Sequence, residues 1–122
     1  MIEIKLVLLL MIIHWICDFT LHSDFVAKNK SKSINILSEH ILIYSISFTA
    51  LLYFHLDMTL VITTQFFLIT AIAHFITDYI TSKMTSKLFA VGDTHNGFVV
   101  VGFDQFLHIT QLILTVDYIY GN

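Results

Sequence analysis

Three histidine–aspartate pairs stand out in this sequence because both members of each pair can bind a metal ion or move a proton. The two members are always four positions apart: His14 and Asp18, His74 and Asp78, and, in reverse order, Asp104 and His108. On an α-helix, residues four apart project from the same face. Neutral imidazole and carboxylate groups are common ligands of Zn, Mn and Fe. The spacing therefore predicts helices that each deliver two potential ligands.

The pairs lie in an otherwise apolar chain. Of its 122 residues, 57% are hydrophobic and 12% are charged, the mean hydropathy is +0.82, and proline is absent. A soluble domain has roughly twice this charged fraction. Stretches long enough to cross about 30 Å of hydrocarbon lie at residues 4–22, 34–54, 58–80 and 103–119. The composition predicts an all-α membrane protein, one domain over residues 1–122 with four transmembrane helices.

The alternative is an apolar soluble four-helix bundle. Such a bundle needs a polar outer face on every helix, and residues 59–73 contain no charged side chain. This stretch favours contact with a lipid bilayer.

The lysines predict the orientation of the chain in the membrane. There is no arginine, and five of the six lysines lie in two of the connections: Lys28, Lys30, Lys32, Lys83 and Lys87. The connection at 55–58 carries no positive charge. Because positively charged loops stay in the cytoplasm, we expect a multi-pass protein of the bacterial inner membrane with both termini outside.

This orientation brings the polar groups of all four spans to one layer near the cytoplasmic surface. Spans one and three end in His–Asp pairs, and spans two and four begin with histidines, His40 and His108. Each half of the chain therefore has the same order of features, which predicts two hairpins related as a parallel repeat.

The second lysine-bearing connection has its own pattern. Residues 89–103 contain three of the four glycines and an Asn96-Gly97 pair between apolar runs. Asn-Gly is a strong hairpin signal. We therefore expect a short β-hairpin or turn in this second cytoplasmic loop.

The shared layer predicts a divalent-metal site, with Zn, Mn or Fe as the ion. The expected metal ligands are Asp18, His74, Asp78 and His108. Three further residues are expected to act as additional ligands or as the general base, and are assigned catalytic roles: His14, His40 and Asp104. Three lysines are expected to bind an anionic headgroup or phosphate: Lys28, Lys30 and Lys32. Together they predict a metal-dependent hydrolase acting on a phosphorylated or lipidic substrate.

Other interpretations remain open from the residues alone. The layer can serve as a relay in an ion- or proton-conducting protein, which with so few spans would have to be a homo-oligomer. It can also be a structural network of hydrogen bonds between helices in a non-catalytic membrane factor that binds a host membrane complex. Nucleic-acid binding has no support, because the lysine loops are short and lack interleaved aromatic residues.

The ordered motifs carry a resemblance to a known family. They are His14-x-x-x-Asp18-Phe19-x-Leu21, a Lys-Ser near residues 30–33, Ser38-Glu39-His40, His74-Phe75-x-x-Asp78-Tyr79 and Asp104-Gln105-x-x-His108. This order resembles a small membrane family known as domain of unknown function 3307, found in bacteria and mobile elements, over nearly the whole chain. Where that family usually has Gln, this chain has His22. The family is more distantly similar to inner-membrane proteins described as metal-dependent hydrolases, which adds a little to the metal interpretation.

Overall fold

The computed structural model describes residues 2–121 and is helical throughout. Its elements are α1 (Ile4–Trp15), a π-helical segment (Ile16–Thr20), α2 (Asp24–Asn29), α3 (Ile34–His55), α4 (Leu60–Ala90) and α5 (Thr94–Tyr120). Within residues 2–121 there is no β-strand. The all-α architecture expected from the apolar, proline-free sequence is confirmed.

Three of the helices, α3, α4 and α5, are long and apolar enough to cross a membrane. Their outward faces carry large exposed apolar side chains, among them Leu60, Ile72, Phe106 and Leu114. In water such surfaces would be costly, whereas hydrocarbon accepts them. The membrane character predicted from composition is therefore supported by where these side chains point.

The predicted first span, residues 4–22, is not supported as a full transmembrane helix. The α-helix ends at Trp15, and the π-helical segment that continues it ends at Thr20. Beyond that point Ser23 caps α2 by accepting a hydrogen bond from the Val26 N–H. Because the run is shorter than the roughly 20 residues that a span needs, the described residues contain three helices of sufficient length rather than four.

The predicted β-hairpin is wrong, although a turn is present. The helices α4 and α5 extend towards each other beyond the predicted spans and leave only Val91–Asp93 between them. Gly92 makes this turn with a φ of 77°, a value that glycine adopts without strain. The second glycine, Gly97, lies inside α5, where an added Cβ would collide with the ring of Phe89. Gly97 is therefore a helix-packing residue, and the Asn-Gly pair does not form a turn.

An apolar core fills the part of the bundle between the polar residues and the loop at 56–59. The helices α4 and α5 pack as a hairpin, α3 packs on α4, and α1 contacts both α3 and α5. Four side chains with at most 1% exposure lie at the centre: Leu10, Phe48, Phe66 and Leu112. This core closes one end of the bundle and leaves the His–Asp residues beside the lysine-bearing connections.

Candidate metal centre

The three His–Asp pairs and His40 meet in a single layer of the structure. They come from α1 and its π-helical segment, α3, α4 and α5. Six of the seven are buried and one, Asp104, is partly buried; the set is His14, Asp18, His40, His74, Asp78, Asp104 and His108. We call these seven residues the polar layer. The common layer predicted from sequence is thus present in the fold.

Four members of the polar layer, which we call the first ligand set, converge on one point: Asp18, His40, His74 and Asp78. The Nε2 atom of His40 lies 3.2 Å from Nε2 of His74 and 3.2 Å from Oδ1 of Asp18. The Oδ2 atom of Asp78 lies 3.0 Å from His40 Nε2 and 3.4 Å from His74 Nε2. Ligands of tetrahedral zinc, about 2.0–2.2 Å from the ion, lie about 3.3–3.6 Å from one another. Five of the six distances between the ligand atoms of the first set, 3.0–3.5 Å, are therefore close to tetrahedral spacing.

Asp18 directs its Oδ1 atom to this point, 3.2 Å from Nε2 of His40. Its side chain is 4% exposed, and Oδ1 has no hydrogen bond of acceptable geometry within residues 2–121. The atom lies 3.5 Å from Nε2 of His74. A buried carboxylate oxygen without a donor is costly unless a cation binds it. Asp18 also lies in the π-helical segment, and such segments are frequent at functional sites.

A second group of potential ligands, the second ligand set, adjoins the first. Asp18, Asp104 and His108 each provide one ligand atom, and these atoms lie within 4.8 Å of one another. Nε2 of His108 is 3.3 Å from Oδ2 of Asp104 and 2.9 Å from Oδ1 of Asp78. Asp18 belongs to both sets, and Asp78 contacts both.

Gln105 connects two of the carboxylates to His14. Its amide nitrogen donates to Oδ2 of Asp18 at 3.3 Å and to Oδ2 of Asp104 at 3.0 Å. Its oxygen lies 2.8 Å from Nε2 of His14, whose Nδ1 lies 2.8 Å from the Tyr44 hydroxyl. Because the amide nitrogen faces the carboxylates, the oxygen accepts, and the proton of His14 is on Nε2. These contacts favour a positioning role for His14 over the ligand or base role predicted for it.

Lys30 reaches the first ligand set directly. Its Nζ donates to Oδ2 of Asp78 at 2.7 Å and lies 3.5 Å from Nε2 of His40. Burial disfavours the charged ammonium, but the carboxylates of Asp78 and Asp18 outweigh it, and the pKa of Lys30 is raised above its ordinary value. Lys30 was predicted to bind substrate, and the structure places it against a predicted metal ligand.

A cavity of about 660 Å³ opens next to the polar layer. One wall carries the three lysines predicted to bind anions: Lys28, Lys30 and Lys32. The lining also includes a row of hydroxyl side chains on α4: Thr81, Ser82, Thr85 and Ser86. Asp18, His40 and Asp104 also line the cavity, so that it adjoins both ligand sets. Its volume is within the range of small-molecule sites.

Several contributors to the site were missed from the sequence. Gln105, Tyr44 and Thr81 contact members of the polar layer, and Thr81 donates a hydrogen bond to Asp104. The hydroxyl row was missed because α4 was expected to end at residue 80. The row consists of two adjacent pairs, 81–82 and 85–86, that are four residues apart in the chain. This spacing would have indicated that the hydroxyl side chains share one helical face. Asp57 and Asp117 belong to neither ligand set.

The fold and the site define a helical protein with membrane-like helices and a buried His–Asp cluster that can hold a metal ion. A family model described as Protein of unknown function (DUF3307) matches residues 6–121. The chain therefore belongs to this family, as the ordered motifs indicated. No curated protein and no solved structure matches the chain.

Proposed function

We propose that this protein binds a divalent metal ion in the first ligand set and is a metal-dependent hydrolase of phosphorylated or lipidic substrates. The observation that carries the proposal is the near-tetrahedral spacing of Asp18, His40, His74 and Asp78 beside a lysine-lined cavity. Zn, Mn and Fe all accept such a mixture of imidazole and carboxylate ligands.

The charges of the polar layer support a bound cation. With neutral histidines, three carboxylates face one ammonium, that of Lys30, which leaves two uncompensated negative charges in a largely buried region. Buried charges without partners are strongly destabilising. One divalent ion would bring this sum to zero, as would protonation of His40 and His108, which both contact the carboxylates.

The cavity supports an anionic substrate. Its lysines provide positive charge and its hydroxyl row provides hydrogen-bond donors, a combination that suits a phosphoryl group or an anionic lipid headgroup. Apolar side chains at the same cavity, Phe19, Phe89 and Val101, suit the adjoining part of a lipid. The substrate would therefore bind with its phosphoryl group against Lys30 and the two ligand sets.

The reaction proposed is hydrolysis of a phosphate ester. Water forms a new bond to phosphorus, the bond from phosphorus to the ester oxygen breaks, and a proton from the water ends on the leaving oxygen. A divalent ion at this position would polarise the phosphoryl oxygen and activate the water. The chain's own contribution is to orient the phosphoryl group with Lys30 and to fix the carboxylates through Gln105.

The closed end of the bundle argues against the conducting alternative. A conduit needs polar groups across the whole membrane, but Leu10, Phe48 and Phe66 are buried in the core that separates the polar layer from the loop at 56–59. A polar site open at one end suits an enzyme better. We place that end in the bacterial cytoplasm because five lysines lie there, and we place α1 within the bilayer because Leu8, Ile12 and Trp15 are exposed.

The test combines metal content with phosphate release. Protein purified in detergent without chelators should contain about one divalent ion per chain or more. It should release phosphate from vesicles containing phosphatidic acid or from p-nitrophenyl phosphate, and EDTA should abolish this. Activity on the vesicles alone would identify a lipid substrate. Less than about one ion per chain after equilibration with Zn²⁺ or Mn²⁺ would refute the metal site, and a metal-replete protein inactive on both probes would refute the hydrolase.

A further inference from the structure

We propose that the second ligand set, formed by Asp18, Asp104 and His108, binds a second divalent ion, so that Asp18 bridges two ions. This inference rests on the proposed function, because it assumes that the first ligand set holds an ion. It adds a second binding site, with Asp104 and His108 as ligands that the first set does not use. The site would be a two-metal centre of the kind that clamps both oxygens of a phosphoryl transfer.

Asp78 directs its two oxygens to members of different sets. Oδ2 of Asp78 lies 3.0 Å from Nε2 of His40, whereas its Oδ1 lies 2.9 Å from Nε2 of His108. Asp18 provides Oδ1 to the first set and belongs to the second set as well. A carboxylate that serves one ion needs only one of its oxygens. The division of the Asp78 oxygens, together with the membership of Asp18 in both sets, is the arrangement expected for bridging carboxylates.

The stacked rings of His74 and His108 give the expected spacing of the ions. These two histidines belong to different sets, and their rings are stacked at an interplanar angle of 22° with centroids 4.0 Å apart. Ions in two-metal sites lie roughly 3.5–4 Å apart. Parallel imidazoles at this separation can each serve one ion of a pair.

Asp104 is held as a metal-ligating carboxylate usually is. Thr81 donates a hydrogen bond to Oδ1, and the Gln105 amide donates to Oδ2 at 3.0 Å. Ligating carboxylates are typically oriented by such outer contacts. Both donors come from outside the ligand sets, and Thr81, Gln105 and Asp104 line the cavity. The second ligand set therefore meets the cavity through Asp18 and Asp104.

The charge sum indicates what the second ion would do. Three carboxylates, the Lys30 ammonium and one divalent ion sum to zero, so a second divalent ion makes the polar layer doubly positive. A phosphoryl dianion in the adjoining cavity would restore neutrality. The second ion therefore selects a doubly charged phosphate monoester over a singly charged diester.

The test is a Mn²⁺ titration of the purified full-length protein, followed by metal analysis and electron paramagnetic resonance. We expect about two ions per chain and the multiline spectrum of an exchange-coupled pair. Asp104→Asn should reduce the content to about one ion per chain and abolish the coupling, because Asn keeps the shape of Asp but loses the ligand charge. His108→Gln should do the same, which guards against a folding defect in either variant alone. Asp117→Asn, on the same helix, is the matched control and should retain the pair.

The outcomes separate this inference from the proposed function. One ion per chain in the wild type, with no coupling signal, would refute the second site and leave the first intact. No bound ion at all would refute the proposed function itself. A coupled pair that survives in both Asp104→Asn and His108→Gln, with helical circular dichroism unchanged, would also refute the assignment of the second ligand set.

Discussion

The C-terminal half of the chain, α4 and α5, is two long helices joined by three residues, whereas the N-terminal half reaches α3 through a π-helical segment and the short α2. The effect of this interruption is seen by comparing the residues that follow Asp18 and Asp78 at equal separation in the two halves. Lys30 follows Asp18 by the same number of residues as Ala90 follows Asp78. On a continuous helix that separation is about 18 Å, and Ala90 lies at the far end of α4. Lys30, after the interrupted helix, returns to contact Asp78.

The two halves therefore contribute different things to one site. The continuous hairpin holds His74, Asp78 and His108 on regular helices, where their spacing is fixed by helical geometry. The interrupted half contributes Asp18 from the π-helical segment and brings Lys30 over the polar layer. The regular helices hold the ligands at fixed spacing. The interrupted chain turns back, so that the positive charge of Lys30 reaches the carboxylate of Asp78.

The largest expected effect tests whether both halves are needed for metal binding. Asp78→Asn and Asp18→Asn, one from each half, should each lower the affinity for Zn²⁺ or Mn²⁺ by more than about 100-fold. Asn keeps the size and hydrogen-bonding capacity of Asp, so helical circular dichroism should be unchanged. Isothermal titration in detergent measures the affinity. If only Asp78→Asn has this effect, the C-terminal hairpin binds the ion alone.

The next effect has the opposite sign. Lys30→Met should raise the metal affinity by about 10-fold, because the ammonium competes with the ion for Asp78. The same change should reduce phosphate release, since Lys30 lines the substrate cavity. Lys32→Met is the matched control, and we expect it to change metal affinity by less than about two-fold. A weaker metal affinity in Lys30→Met would show that Lys30 supports the ion rather than competing with it.

A smaller effect is expected at the connection between the halves. Gln105 on α5 contacts His14 and Asp18 from the N-terminal half, and Gln105→Met removes these hydrogen bonds at similar volume. Metal affinity should fall by about 10-fold, while Gln105→Glu, which keeps an acceptor for His14, should not restore it because both amide donors are lost. Titration of the three proteins at one pH decides this. Equal affinities in all three would exclude a positioning role.

The smallest effect concerns the outer lysines of the N-terminal half. The double change Lys28→Gln and Lys32→Gln should weaken binding of inorganic phosphate by about three- to ten-fold at low salt, with little effect at high salt, since exposed charges are screened. Metal affinity should stay unchanged. A loss of phosphate binding that persists at high salt would mean that these lysines contact the anion directly.

Much of the site was predictable because helical periodicity is local. The His–Asp pairs at four-residue spacing determined which side chains share a face, and the apolar runs around them determined that these faces would be buried in a helical, membrane-like protein. The predicted span at 34–54 nearly matches α3. Such features depend on residues within one or two helical turns of each other, so they can be read from the order of residues along the chain.

Other features depended on contacts between distant segments. Gly97 lies within α5, and the ring of Phe89 packs where its Cβ would be, a contact that the Asn-Gly pattern does not indicate. The change from α to π hydrogen bonding at Ile16, and with it the end of the first predicted span, has no mark in the apolar pattern.

The sequence by itself determined the helical class, the apolar surfaces and the identity of the candidate ligands, because composition and period are properties of neighbouring residues. Only the tertiary structure decided that Asp18 lies in both ligand sets, that Gln105 connects the carboxylates to His14, and that Lys30 contacts Asp78. Each of these contacts joins residues far apart in the chain. Their distances are set by how the helices pack, which no local pattern records.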